Sequence, residues 1–144
     1  MPRLTDFLCF GVYAAGHAFT RVYKRLLAPL GLTYPQYLVM VALWERDGRT
    51  VGELGEALGL ESSTLTPLLK RLEGLGHVTR RRDRADERQV RVALTAQGRA
   101  LAERARGVPE GVAAATGMSP QALRKLTAEV AALHRALERA AGER

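Results

Sequence analysis

Cys9 is the only cysteine among the 144 residues, and Tyr13, Tyr23 and Tyr34 are three of the four tyrosines that follow it. A lone thiol cannot close an intramolecular disulfide. Its available chemistry is that of one sulfur: oxidation by a peroxide to sulfenic acid, then condensation with a separate thiol or further oxidation. Taken alone, a free cysteine is most often a small buried hydrophobe, and a tyrosine is most often a core ring with its hydroxyl satisfied. Position adds to this. Cys9 falls in the first turn of an expected amphipathic helix, where free N–H groups and the helix dipole favour a thiolate. Tyr13, four residues on, shares its face. Tyr23 is fourteen residues on, about 21 Å along a straight helix at roughly 1.5 Å per residue. It cannot reach its own Cys9. A contact would have to come from a second copy of the chain, or the helix would have to break.

A second set of residues carries charge. The net charge is +7 with a pI of about 10.3, which favours acidic partners. Between Lys70 and Arg106 lie eleven basic residues against five acidic ones, a surplus of six that accounts for nearly all the excess. Just before and within this stretch a short helix is led by Ser62, Ser63, Thr64 and Thr66, with Pro67 inside it and Lys70 and Arg71 on its solvent face. A hairpin then offers Arg80, Arg82, Arg84 and Arg88. Polar residues leading a narrow helix suit the major groove of DNA, and arginines on a hairpin suit phosphates or a minor groove. Asp86, two residues before Arg88, is placed to brace it. A solvated hairpin with balanced charges is the plain alternative.

The elements that must position these groups follow from periodicity and caps. Leu8, Val12, Ala15, Phe19, Val22, Leu26 and Leu30 recur at 3–4 spacing and predict a helix from Asp6 to about Ala28, capped by Thr5 or Asp6 and closed by Gly31. Thr33 caps a second helix through about Arg46. Thr50 and Glu53 form a capping box for a short third helix through Leu58, with a turn at Gly59. A fourth runs from about Ser63 to Leu75, with Leu65, Leu68, Leu69, Leu72 and Leu75 expected inward and Pro67 in its first turns, where a missing N–H costs least. Val78–Arg82 and Gln89–Leu94 alternate as two strands. Thr95 caps a fifth helix to about Arg106, residues 107–118 read as looser chain, and Ser119-Pro120 opens a last helix to about Ala140. The expected fold is mainly α with a small β-hairpin wing, a winged helix-turn-helix.

No apolar run approaches the roughly 20 residues a membrane helix needs, and no secretory pattern opens the chain, so a cytoplasmic location without membrane contact is expected. His17, His77 and His134 lack metal-ligand spacing. No metal or other cofactor is expected, and Trp44 reads as core.

Asp86-Glu87-Arg88, Val90 to Thr95 and Gly98 resemble the wing of the MarR-type regulators, and the likeness extends over essentially the whole chain. Tyr34 to Met40, Leu43-Trp44-Glu45 and Leu60 to Glu73 resemble the organic-hydroperoxide-sensing branch of that family, in its one-cysteine form. That resemblance implies a homodimer intertwined through residues 1–32 and 96–144, with residues 33–95 as the DNA-binding part of a single 1–144 domain. It implies that the helix around Ser63–Lys70 reads the major groove and Arg88 the minor groove of a pseudo-palindromic operator in double-stranded DNA. It implies a repressor, not an enzyme. In that branch a reactive cysteine is followed at +4, +14 and +25 by tyrosines, matching Tyr13, Tyr23 and Tyr34, and the latter two reach it across the dimer. The effectors would be an organic hydroperoxide and a low-molecular-weight thiol. Phe7, Leu8, Phe10, Val12 and Phe19 would favour an apolar peroxide. Three other readings stay open: a regulator released by a small phenolic or acidic ligand with Cys9 structural, a thiol peroxidase, and an architectural DNA binder with little sequence preference.

Overall fold

The computed structural model describes residues 1–142. The chain forms two compact units, Met1–Val108 and the segment from Pro109 onward. Seven α-helices and one hairpin make them up: α1 (Leu8–Leu27), α2 (Tyr34–Glu45), α3 (Val51–Leu58), α4 (Ser62–Gly74), β1 (Val78–Arg82), β2 (Val90–Leu94), α5 (Ala96–Arg104), α6 (Gly107–Thr116) and α7 (Pro120–Gly142).

The caps read from the sequence close most of these helices. Thr33 and Gln36 cap α2 reciprocally, the Gln36 N–H donating to Thr33 Oγ1 and the Thr33 N–H to Gln36 Oε1. Thr50 and Glu53 do the same for α3. Thr95 Oγ1 accepts from Gly98 at the start of α5, and Ser119 Oγ accepts from Ala122 at the start of α7. Gly59 and Gly76 take the left-handed conformation (φ 65° and 84°) that ends α3 and α4, while Gly31 (φ 67°) closes not α1 itself but the 3-10 turn Ala28–Leu30 that follows it.

Four local expectations need correction. Neither Thr5 nor Asp6 caps α1: both lie in a separate 3-10 turn, Leu4–Asp6, where the Asp6 carboxylate accepts the Arg3 N–H, and Phe7 stands at the cap. Leu75 is exposed and Leu68 only half-buried, because α4 turns its inward face through Leu65, Leu69 and Leu72. Pro67 lies inside α4 beyond its first turn, so it has no N–H to give the Ser63 carbonyl. Residues 107–116 are helical, not loose. Pro109 falls in the first turn of α6, where its missing N–H is spare, and Ala113 to Ala115 carry the helix on.

In the first unit α2 is the central element. It packs on α1, α3, α4 and α5 and buries Tyr37, Val39, Met40, Ala42 and Leu43. Leu27, Leu54, Leu65, Leu69, Leu72, Val78 and Val92 complete a core closed to solvent. β1 and β2 pair antiparallel, Val78 opposite Leu94 and Arg82 opposite Val90. A bridge from Thr50 to Arg91 and the Val92 N–H bond to the Arg49 carbonyl (2.9 Å) back the hairpin with the α2–α3 connection.

The root of the hairpin is bolted to α5. Thr95 N–H donates to the His77 carbonyl (3.0 Å), Thr95 Oγ1 to the Gly76 carbonyl (2.6 Å) and Trp44 Nε1 to the Gly98 carbonyl (2.9 Å). A Cβ on Gly98 would lie 2.0 Å from the His77 carbonyl oxygen, so only glycine fits. In the second unit α6 and α7 line a groove of about 800 Å³ walled by Ala113, Met118, Leu123 and Ala128. No single helix is long and apolar enough to cross a membrane among the described residues.

Candidate nucleic-acid interface and cysteine–tyrosine face

With Leu65, Leu69 and Leu72 buried, the helical repeat turns Ser62, Ser63, Thr64, Thr66, Pro67, Lys70 and Arg71 to solvent, and all seven are exposed. The sequence-read face of α4 is therefore open along its length. Lys70 and Arg71 have no carboxylate within ion-pair distance among the described residues, leaving both charges available to an outside anion.

The hairpin divides its arginines. At the tip, Asp86 grips Arg88 by three bonds: from the Arg88 N–H (3.1 Å), from Nε to Oδ1 (3.1 Å) and from Nη2 to Oδ2 (3.2 Å). The fork aims a guanidinium whose side chain is 90% exposed. These bonds, the side-chain ones foremost, hold the Asp86 carboxyl below its ordinary range. Asp83 shapes the other side of the tip, accepting from the Ala85 N–H (2.9 Å) and from Arg91 (2.6 Å), with its carboxyl likewise held low. Arg82 donates to the Glu87 carbonyl (3.3 Å). Arg84 is exposed and has no carboxylate partner among the described residues. Arg80 behaves differently: its side chain turns back onto Glu73 of α4.

Between the N-terminus of α3, α4 and the hairpin lies a cleft of about 350 Å³, lined by Thr50, Ser62, Thr66, Arg80, Arg88 and Val90. Its hydroxyls and guanidinium groups suit an anion.

Cys9 is the second residue of α1 and is exposed. Tyr13 stands one turn on, also exposed, its ring edge-on to His17 at 4.5 Å. Tyr23 and Tyr34 are elsewhere: their rings stack at 4.1 Å and 15°. α1 is unbroken from Leu8 to Leu27, so Tyr23 stays about 21 Å from Cys9 of the same chain. Within one copy the structure brings the two tyrosines together and leaves Cys9 and Tyr13 apart from them.

Burial, then the neighbouring Tyr34 and Tyr37, pushes the Tyr23 hydroxyl up to about 12, and burial raises Tyr34 as well. Both remain protonated and can donate a hydrogen bond at neutral pH. Sequence reading passed over Tyr37. It is buried, 5.7 Å from Tyr23 and 6.2 Å from Trp44 between ring centroids. Its spacing of three from Tyr34 places it on the same side of α2, a signal the sequence did contain. Glu73 was passed over too. Among the described residues no group of three or more His, Cys, Asp or Glu side chains converges as a metal site.

Comparison with known proteins places this geometry. Residues 21–105 match the family model of the transcriptional regulator SarA/Rot. The chain is 53% identical to the HTH-type transcriptional regulator TtmR of Methylorubrum extorquens over 135 residues, covering 94% of this chain and 69% of that protein. It is 44% identical to the organic hydroperoxide resistance transcriptional regulator of Bacillus subtilis, covering 86% of this chain and 84% of that one. Among solved structures, that of reduced AbfR bound to DNA superposes with a TM-score of 0.78 at 35% identity, over 95% of this chain and 94% of AbfR.

Proposed function

Because this chain belongs to the MarR-type family of winged-helix transcriptional regulators, we propose that it is a dimeric repressor that leaves its operator when an organic hydroperoxide oxidises Cys9. The Bacillus regulator, named for organic hydroperoxide resistance, supports the peroxide part of this reading, and AbfR, solved on DNA in a reduced and an overoxidised form, supports a DNA-binding regulator with redox chemistry. So does the regulator's expected place in the cytoplasm, where a free thiol stays reduced.

On DNA, Ser62, Ser63, Thr64, Thr66 and Pro67 at the head of α4 meet base edges in the major groove. Lys70, Arg71, Arg82 and Arg84 meet phosphates, and Arg88, aimed by Asp86, enters the minor groove. A dimer repeats these contacts about 34–36 Å away, one helical turn, on a pseudo-palindromic site. The dimer is held by apolar faces such as Leu8, Val12 and Phe19 of α1, which one copy leaves exposed.

Oxidation proceeds in two balanced steps. The hydroperoxide passes one oxygen to the Cys9 sulfur: its O–O bond breaks, the sulfur loses two electrons, and an alcohol leaves, giving the sulfenic acid. A small thiol then forms an S–S bond with that sulfur and releases water. In the reduced state Tyr23 and Tyr34 donate hydrogen bonds to Cys9 of the other copy, with Tyr13 beside it. The enlarged sulfur breaks these bonds, the dimer helices shift, and the two DNA-reading heads lose their spacing. A hundredfold loss of affinity requires only about 2.7 kcal/mol.

One observation carries the reading: the stacked Tyr23–Tyr34 pair sits beyond reach of its own Cys9, from which an unbroken helix separates Tyr23. Fluorescence anisotropy on DNA from upstream of the gene tests it. After stoichiometric organic hydroperoxide and a small thiol, wild type should release the DNA while Cys9→Ser stays bound. Equal behaviour of the two proteins contradicts the reading. A second reading, release by a small phenolic or acidic ligand with Cys9 structural, is favoured by the cleft of Thr66, Arg80 and Arg88, whose size lies within the usual range for ligand sites. Under it, an added aromatic acid releases both proteins equally.

A further inference from the structure

Glu73 occupies the last turn of α4 and touches the wing at two points. Its Oε2 accepts the backbone N–H of Arg80 (3.1 Å), and its Oε1 accepts Nη2 of the same residue (3.1 Å). Arg80 is the middle residue of β1, opposite Val92. The side chain of Arg80 is 25% exposed, against 90% for Arg88. Nε of Arg80 is buried and meets no acceptor among the described residues, so the guanidinium is packed into the protein instead of extended from it. The two bonds from Arg80 also hold the Glu73 carboxyl below its ordinary range.

The covalent connection between α4 and β1 does not fix their angle by itself. It passes through Gly76 at φ 84°, a residue type with wide conformational freedom. Thr95 holds the turn at its root, and the Glu73 carboxylate adds a second clamp farther along the strand, gripping both the backbone and the side chain of Arg80.

We propose that Glu73 and Arg80 form a positioning pair that sets the span between the helix in the major groove and the wing in the minor groove, and that Arg80 acts through Glu73 and not on a phosphate. The proposal rests on the assignment of α4 and Arg88 to DNA. A duplex offers its two grooves at a fixed separation. With the pair intact, α4 and Arg88 engage together. With it broken, α4 still docks and Arg88 reaches the minor groove only part of the time. Loss of the pair therefore weakens binding only as far as the wing contributes.

A double-mutant cycle on DNA affinity tests this with the full chain, using Glu73→Gln, Arg88→Ala and the two combined, each compared at equal folded fraction by thermal melting. The expected result is about a tenfold loss for Glu73→Gln, tenfold or more for Arg88→Ala, and for the double variant no further loss beyond Arg88→Ala. Arg80→Gln, which removes the side-chain partner, should repeat the direction of the Glu73→Gln loss with a salt slope no steeper than that of the wild type. Losses that multiply in the double variant overturn the proposal. So does tighter binding by Glu73→Gln with a steeper salt dependence, the sign of a freed Arg80 reaching phosphate. If Arg88→Ala alone leaves affinity unchanged, the assignment of the wing to DNA is what has failed.

Discussion

From Tyr34 to Leu101 the chain closes its polar junctions on itself, whereas along α1 and α7 apolar side chains lie open. In the first region Thr33, Thr50 and Thr95 cap α2, α3 and α5, Trp44 donates to Gly98, Asp47 accepts from the Leu94 N–H (2.8 Å), and Glu73 and Asp86 each hold an arginine. In α1 only Leu27 is buried, and Leu8 is 66% exposed. In α7 nothing is buried, with Leu126, Val130 and Leu137 exposed. Exposed apolar surface is unfavourable by about 25 cal/mol per Å², and α7 repeats its apolar residues at helical spacing. The contrast separates a part whose structure is specified by its own contacts from helices whose faces call for a second copy. Under the proposed function the first part aims the DNA-reading groups and the open faces form the surface shared by two copies.

Core and surface substitutions should part company along this line. Gly98→Ala forces a Cβ against the His77 carbonyl, and Leu54→Ala empties a fully buried site. Each should destabilise by about 2–5 kcal/mol in urea titration, whatever the protein concentration. A loss under about 1 kcal/mol for Gly98→Ala would mean that the wing root is loose. Val12→Asp and Val130→Asp place a charge on the open faces. Sedimentation equilibrium should show the dimer dissociation constant rising about a hundredfold, or 2.7 kcal/mol, with the circular dichroism spectrum little changed. Unaltered dimers from both variants would put the interface elsewhere.

The smallest expected effect is set by pH. His77 is buried at the wing root, and burial, then the Arg104 charge, hold its pKa below the ordinary value. Its Nδ1 has no partner among the described residues. The unfolded chain takes up this proton first, so stability present above about pH 6.5 is lost as pH falls toward the folded pKa. His77→Gln should flatten the fall of the melting temperature below about pH 6.5. The carboxylates held low, Glu53, Glu73, Asp83 and Asp86, contribute stability that disappears only at more acid pH. An unchanged slope in the variant would remove His77 from the account.

What could be read from sequence was what local chemistry decides. The caps at Thr33, Thr50, Thr95 and Ser119 and the Asp86–Arg88 brace span two to three residues, and both halves of each interaction lie in one short motif. Residues 107–116 were misread because Pro109 and Gly111 count as breakers unless their place in the helix is known. Leu68 and Leu75 were misplaced because the buried face of α4 is chosen by what packs on it. The pairing of Arg80 was hidden for the same reason: a row of hairpin arginines looks uniform until the fold gives one of them a carboxylate seven residues away. The Tyr23–Tyr34 stack joins two helices, and spacing alone could exclude contact with Cys9 of the same chain but could not supply the stack.

The central claim is that the sensing site is built from two copies. Mixed dimers test it most directly, pairing Cys9→Ser with a Tyr23→Phe, Tyr34→Phe copy and measuring the rate of oxidation by an organic hydroperoxide. A shared site leaves one intact Cys9–tyrosine set in the mixed dimer, and its cysteine should react at the wild-type rate. If the cysteine reacts as slowly as in the tyrosine variant alone, the tyrosines serve the Cys9 of their own chain, or none, and the account is wrong.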